Sequence, residues 1–595
     1  MTDVLDAPAP DPAALPRATR RENAIALCGY ALLAIAATWP LALDFAGAVP
    51  GLLRWQGHAL HPESLGNLWN LWWFRFALVE LGQSPFDANT LFYPEGVDLW
   101  QHTFAPLYGV VATALQAMVS LTAAQNIIIL LDLVAAGACA GALGRRLGLS
   151  AAGAFVAGAI YALCPPLFAH LVVGHVNLLA TFVLPASLFL FLSLTEPDTP
   201  RRRDALALGA LLGATAYASP TLVLYAVELL ALVAVARRRA LARPRSAGCL
   251  VAAATIALAI ASPLVSAHLL DGGVVATAVD PADFDRHAGD LLGLFVPSFA
   301  HPLFGDRVLA FYEAGEWSLP QESTLFLGVS VLGLAVLGWR CSAEIRAWRA
   351  LLAGIAVVFW GLALGAHLEV GGFDTGIPLP MRVLGQLPFF ELARAPGRHI
   401  LVSALGVALL AGAGFCCLRA PALRVAALAA VSFELAAVPI PLVSTDAAPV
   451  YDEIAKIPGR FAVLDLPLQV RDGHRVWGAR TSKAMLGQTV HHQPIVGGAV
   501  ARLPAPTWER IRAAPLISSL LDGGPSSPRA RARDARDGPA YFARYDIRAI
   551  VVHPRAREGV AHRTVEKLLP VERRRAFPDG TLLLWLAGAT PTDAP

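Results

Sequence analysis

Long apolar runs separated by short arginine clusters fill the chain as far as about Leu442. Beyond Thr445 apolar and polar positions alternate over short distances, as in a soluble domain. A membrane-spanning helix needs about 20 apolar residues. Runs of this kind lie near 24–46, 124–143, 150–164, 176–196, 204–218, 221–236, 247–268, 322–339, 349–367, 398–418 and 421–441. The pattern predicts a polytopic α-helical membrane domain of about eleven spans over 24–442. A polar tail at 1–23 precedes it and a soluble α/β domain at 446–595 follows it.

The arginines set the direction of these spans. Arg17, Arg20 and Arg21 precede the first; Arg145 and Arg146, Arg201 to Arg203, Arg237 to Arg239, Arg340 to Arg349, and Arg419 and Arg424 fall between later ones. The positive-inside rule places every cluster in the cytoplasm if the N-terminus is cytoplasmic, the chain crosses eleven times and 446–595 lies outside. The apolar segment 103–119 must then dip in and return, or lie along the outer face. No cleavable signal peptide is visible, because the first apolar run is long enough to span.

Composition agrees with the pattern. Hydrophobic residues make up 56% of the chain, against about 45–50% in soluble proteins. The formal charge of +3 mostly reflects topology marking, so nothing points to nucleic acid. Lysine occurs only at Lys456, Lys483 and Lys567, which leaves the membrane part without a phosphate-loop or Schiff-base lysine. All seven cysteines fall in or beside apolar runs, with no disulfide framework or zinc spacing in 446–595.

Four outer segments, 47–123, 165–177, 269–321 and 368–397, are longer or more polar than connectors require, and such loops carry function. In the first, Glu63 stands at the start of a predicted short helix whose Trp69, Trp72, Trp73 and Phe76 share one face. That face suits an interfacial helix resting on the outer leaflet. Glu63 is either a helix cap at the positive end of the dipole or a functional acid. His102, at the entry to segment 103–119, either orients a phosphate or is a satisfied histidine at the membrane interface. His170, His175 and Asn177 lie where the chain re-enters the membrane, and polar groups there tend to face a cavity. Asp280, Asp283, Asp285 and Asp290 form an acidic group that admits a divalent cation or reads as a solvated loop. Arg394 and Arg398 are outside by this topology, against the usual bias for arginine. A guanidinium forks well onto phosphate oxygens, so a lipid phosphate is their natural partner.

About a quarter of residues 446–595 are charged. Segments 461–466, 547–552 and 581–585 read as strands, and 451–456, 505–521 and 559–568 as helices. The stretch 518–537, rich in Pro, Gly, Ser and Arg, reads as a mobile loop. The region shows no catalytic triad order and no nucleotide-binding glycine signature, so its predicted task is acceptor binding or covering a site.

Five stretches now carry a resemblance: SPFDANTLFYPEGVDL at 84–99, DLLGLFVPS at 290–298, HPLFG at 301–305, RAPGR at 394–398 and QTVHHQPIVGG at 488–498. Together with an acid in the first outer loop, they resemble the GT-C glycosyltransferases. More narrowly, they resemble uncharacterised bacterial membrane proteins grouped with them. The resemblance implies a bacterial cytoplasmic-membrane enzyme using a polyprenyl-phosphate-linked sugar and a glycan, lipid or protein acceptor on the outer face. It implies Glu63 as catalytic base or metal ligand, where the family more often has an aspartate. It singles out Asp290. The second outer loop has His175 and Asn177 where a second acid is common, so a metal requirement stays open. The competing expectations are a flippase of lipid-linked envelope precursors, which predicts internal repeats and paired midplane charges, and a non-catalytic scaffold.

Overall fold

The computed structural model describes residues 19–587 apart from 53, 56–57, 60–62, 197–200, 271–283, 285, 316, 318, 388–389, 474, 480 and 482. Asp280, Asp283 and Asp285 of the acidic group lie outside the described residues. The chain forms two compact units. One comprises 1–45, 50–57 and 126–442; the other comprises 46–49, 58–125 and 443–595.

In the first unit each of the eleven apolar runs contains a helix. Five helical segments among the described residues are long and apolar enough to cross a membrane: Leu121–Arg146, Ala151–Val173, Val176–Leu194, Pro244–Ala267 and Pro396–Cys417. Their surroundings differ. Ile400–Cys417 is buried along almost its whole length. Its Gly412 and Gly414 let neighbouring helices approach closely: an added Cβ would lie 2.3 Å from the Gly153 carbonyl and 1.9 Å from that of Leu334. Small residues at such crossings are the usual means of packing helices in lipid. Pro244–Leu270 instead leaves Val251 and Leu258 exposed, as expected of a surface facing hydrocarbon rather than water.

The second unit joins the first outer loop to the C-terminal region. Its four-stranded sheet has the order Val571–Ala576, Leu582–Leu586, Ile547–Val552, Ala462–Leu466. Ile547–Val552 runs parallel to Ala462–Leu466 and antiparallel to Leu582–Leu586, with Ile550 opposite both Leu464 and Leu584. Every residue of Ala462–Leu466 is buried, Asp465 included, which is why that strand reads as an apolar run broken only by one acid. A second sheet has the order Arg475–Gly478, Gln469–Asp472, Gly498–Val500.

Three local expectations change. The aromatic face of Glu63–Arg75 is not free for a leaflet: Trp69, Trp72, Trp73 and Phe76 are buried in one core with Leu464, Leu466 and Ile495. The indoles are satisfied there, Trp69 donating to Gln488 Oε1 at 2.8 Å and Trp73 to the Pro85 carbonyl at 2.8 Å. The stretch read as a mobile loop is largely helical, Pro528–Arg544, opened by Ser527, whose side chain accepts from the Ala530 N–H, and by Pro528 in its first turn. Segment 103–119 holds one helix, Pro106–Leu115, of 10 residues. It rises about 15 Å, half a bilayer core, so it does not cross alone.

Candidate functional site

The site residues expected from the sequence fall in both units, and each unit has a polar centre that bears on them. In the first unit the centre starts from a turn. Helix Pro165–Val173 ends at Gly174, whose φ of 92° is the left-handed conformation that favours glycine. The Gly174 N–H then reaches the Leu171 carbonyl and the His175 N–H reaches that of His170, both at 3.0 Å, closing a Schellman motif. This fold-back sets His175 beside His170, their Nδ1 atoms 2.9 Å apart. One ring must donate and the other accept. Asn177 follows, half-buried on the turn Val176–Leu178.

Glu322 faces these rings from the short helix Pro320–Ser323; its Oε2 lies 3.9 Å from His170 Nε2. Its carboxylate is fully buried and is gripped by Arg398, with Nη2 at 2.6 Å and Nε at 3.1 Å from Oε1. The approach depends on Gly397, where an added Cβ would lie 2.5 Å from the Glu322 carbonyl. The rest of the arginine motif is braced by polar contacts. Tyr225 donates to the Ala395 carbonyl at 3.2 Å. His399 Nδ1 donates to the Pro396 carbonyl at 2.9 Å, and its Nε2 lies 3.0 Å from Glu228 Oε2.

The structure thus brings His175 and Arg398 together around Glu322. Sequence reading missed that carboxylate, although an acid opening an apolar run is the signal that marks it. Arg394 is half-buried four positions earlier. Asp290 is engaged elsewhere: Oδ1 accepts from the Leu292 N–H at 2.7 Å and Oδ2 from the Gly372 N–H at 2.8 Å. Both oxygens hold loop backbone, which is the geometry of an anchor. His170, His175 and Glu322 each offer one ligand atom within 4.8 Å of the others.

In the second unit Glu63 begins its helix with its side chain 47% exposed, and its Oε1 lies 3.3 Å from Arg471 Nη2. An exposed pair of this kind contributes little to stability, and about half of the Glu63 side chain stays open to its surroundings. His102 is fixed more firmly. Its Nδ1 accepts from the Ala501 N–H at 3.0 Å, so the ring hydrogen sits on Nε2, which donates to Asn70 Oδ1 at 3.1 Å. Burial pushes its pKa down to about 4; Glu63 raises it and Arg471 lowers it further. His102 is therefore a neutral ring held beside an acid–base pair, and its two nitrogens are already occupied.

The comparisons place this architecture. The arabinofuranosyltransferase AftD from Mycobacteria matches 96% of this chain at 14% identity and a TM-score of 0.58; this chain spans 40% of AftD. ArnT from Cupriavidus metallidurans, bound to undecaprenyl phosphate, matches over 97% of this chain and 100% of its own, at 11% identity and a TM-score of 0.51. At these identities the likeness shows the fold alone, one with five helical segments among the described residues that are long and apolar enough to cross a membrane. No curated protein sequence matches the chain. The family model described as "Domain of unknown function (DUF6311)" matches residues 69–435, more than half of the chain, and the chain belongs to that family.

Proposed function

We propose that this chain is an integral membrane glycosyltransferase. It moves a sugar from a polyprenyl-phosphate donor to an acceptor at the outer face of the cytoplasmic membrane. The N-terminus is cytoplasmic and residues 446–595 are extracytoplasmic. The reading is carried by the fold shared with ArnT bound to undecaprenyl phosphate, whose whole length this chain matches. In this mechanism Glu63 takes the proton of an acceptor hydroxyl, and the oxygen attacks the anomeric carbon in a single displacement that inverts it. Arg471 orients the carboxylate. Arg398, with Arg394, receives the departing lipid phosphate, where cations stabilise developing charge. His175 and Asn177 contact substrate, and His102 holds the loop that carries the acid.

A general base contributes about 10²–10⁴ in rate. Glu63→Gln keeps the shape and cannot take a proton. In proteoliposomes loaded with a polyprenyl-phosphate sugar, Glu63→Gln should bind donor normally and transfer by that factor more slowly. Normal transfer would return Glu63 to the role of a helix cap.

The buried pairs Glu322–Arg398 and Glu228–His399 favour a second reading, a flippase of lipid-linked precursors, because such groups mark polar pathways in membranes. Movement of a fluorescent lipid phosphate between leaflets without any glycosylated product would select it.

A further inference from the structure

We infer that His170, His175 and Glu322 form a site for one borderline divalent cation of the zinc type. The inference stands apart from the transferase reading, since it concerns binding and not turnover.

Two imidazoles and one carboxylate are a donor set that zinc takes with a fourth position left to an exogenous oxygen. Imidazole nitrogens select zinc, cobalt or nickel over magnesium and calcium, which prefer oxygen throughout. The spacing fits. A tetrahedral site with bonds near 2.1 Å places its donors about 3.4 Å apart. Here His170 faces His175 through Nδ1 at 2.9 Å and Glu322 Oε2 through its other nitrogen, Nε2, at 3.9 Å, so one turn of the His170 ring must bring a single nitrogen toward both partners. One donor atom from each residue lies within 4.8 Å of the other two, so rotations within the rings and carboxylate close the set. Coordination replaces the hydrogen bond between the rings. Each ring then carries its single hydrogen on the nitrogen that does not bind the ion, which needs a choice of tautomer and no net loss of a proton.

The surroundings supply what such sites require. Ligating carboxylates are themselves held by hydrogen bonds that fix their direction. Arg398 does this for Glu322, gripping Oε1 at 2.6 Å and touching Oε2 through Nε at 3.2 Å, while Oε2 also faces His170 Nε2 at 3.9 Å. Gly174 sets the angle between the two rings through its left-handed turn. A carboxylate as deeply buried as Glu322 already has one cation in Arg398, so stability does not demand two histidines beside it.

The test uses the full chain in detergent, purified by a tag without histidine, stripped with chelator and titrated with Co²⁺. The expected result is saturation at about one equivalent per chain, with the intense visible bands of four-coordinate cobalt, bleached by Zn²⁺. His175→Asn should lose at least tenfold in affinity, as should Glu322→Gln in an Arg398→Gln background, where no unpaired charge is left to disturb folding. His367→Asn, on the strand His367–Val370, should bind as the parent does. A parent chain that takes up no cobalt or zinc, or a His170→Asn/His175→Asn double variant that keeps the visible bands, would overturn the inference.

Discussion

Gln488 Oε1 accepts the indole N–H of Trp69 at 2.8 Å across 419 positions of sequence. The same amide donates from Nε2 to the carbonyls of Thr90 and Gln493, each at 3.1 Å. One fully buried side chain therefore ties the first outer loop to the C-terminal strands within a single unit. The aromatic helix, the 84–99 stretch and the 488–498 stretch are parts of one core rather than three separate motifs.

The first expected outcome follows from that amide. Gln488→Leu removes the partner of the Trp69 indole N–H and of the Gln493 carbonyl, while the Thr90 carbonyl keeps the Ile495 N–H at 2.9 Å, and each unpartnered buried group costs about 1–3 kcal/mol. The variant should unfold at clearly lower denaturant, followed by tryptophan fluorescence of the full chain. Because the two residues share one bond, Trp69→Phe/Gln488→Leu should be less destabilised than the two single changes added together, by about 0.5–3 kcal/mol. Strict additivity would show that the bond contributes nothing.

The Arg398–Glu322 pair yields a second. Removing one partner of a buried ion pair costs about 3–5 kcal/mol, because the other charge is left uncompensated. Arg398→Gln alone should therefore express poorly. Arg398→Gln/Glu322→Gln should recover stability and still bind a polyprenyl-phosphate donor about tenfold or more weakly, the value of one charge-assisted contact. Full recovery of donor binding in the double variant would make the pair purely structural.

Much of this architecture is legible in the sequence, for definite reasons. An apolar run of about 20 residues has few fates, so all eleven predicted runs contain helices. Strands 461–466 and 547–552 are read to within a residue because both are largely buried and each apolar run is broken by only one charge, Asp465 and Arg548. The errors are equally physical. The Trp69 face was indistinguishable from a membrane-seeking one, because periodicity reveals that a face is apolar and not what covers it. Pro528–Arg544 is hidden by its arginines and glycine; the helix depends on an N-cap and on a buried stripe of Asp534, Gly538 and Phe542, in which Asp534 Oδ1 accepts from the Leu516 N–H at 3.0 Å. Glu322 carries one sequence signal, an acid at the head of an apolar run, but its partners His170 and Arg398 are brought to it only by the fold.

A third outcome concerns pH. His491 is buried; its Nδ1 accepts from the Gln493 N–H at 2.9 Å, and burial lowers its pKa to about 4, with Asp465 opposing the shift and His492 adding to it. Unfolded, it would titrate near 6.5. Between these values the unfolded state binds the proton and the native state does not, so stability falls as pH drops from about 6.5 toward 4 and is unaffected above. The loss amounts to about 3 kcal/mol from this ring at the lower end. His491→Gln, which keeps an acceptor and removes the titration, should flatten the slope of the unfolding midpoint over that interval. An unchanged slope would assign the acid sensitivity to other groups.

The last expected outcome separates two kinds of glycine. Gly174 is needed for its backbone conformation, with φ at 92°. Gly397 is needed for space, since any Cβ would stand 2.5 Å from the Glu322 carbonyl. The left-handed conformation costs an ordinary residue about 1–2 kcal/mol, and asparagine tolerates it better than alanine. Gly174→Ala should therefore lower the unfolding midpoint, and Gly174→Asn should recover most of the loss. A backbone clash has no such remedy, because the obstructing atom is a carbonyl in a packed turn and cannot rotate away. Gly397→Ala and Gly397→Asn should be equally damaging, and both should loosen the grip of Arg398 on Glu322. If asparagine rescues position 397 as well as 174, the close approach of Gly397 to Glu322 does not hold the two together, and the geometry of the polar centre would need another support.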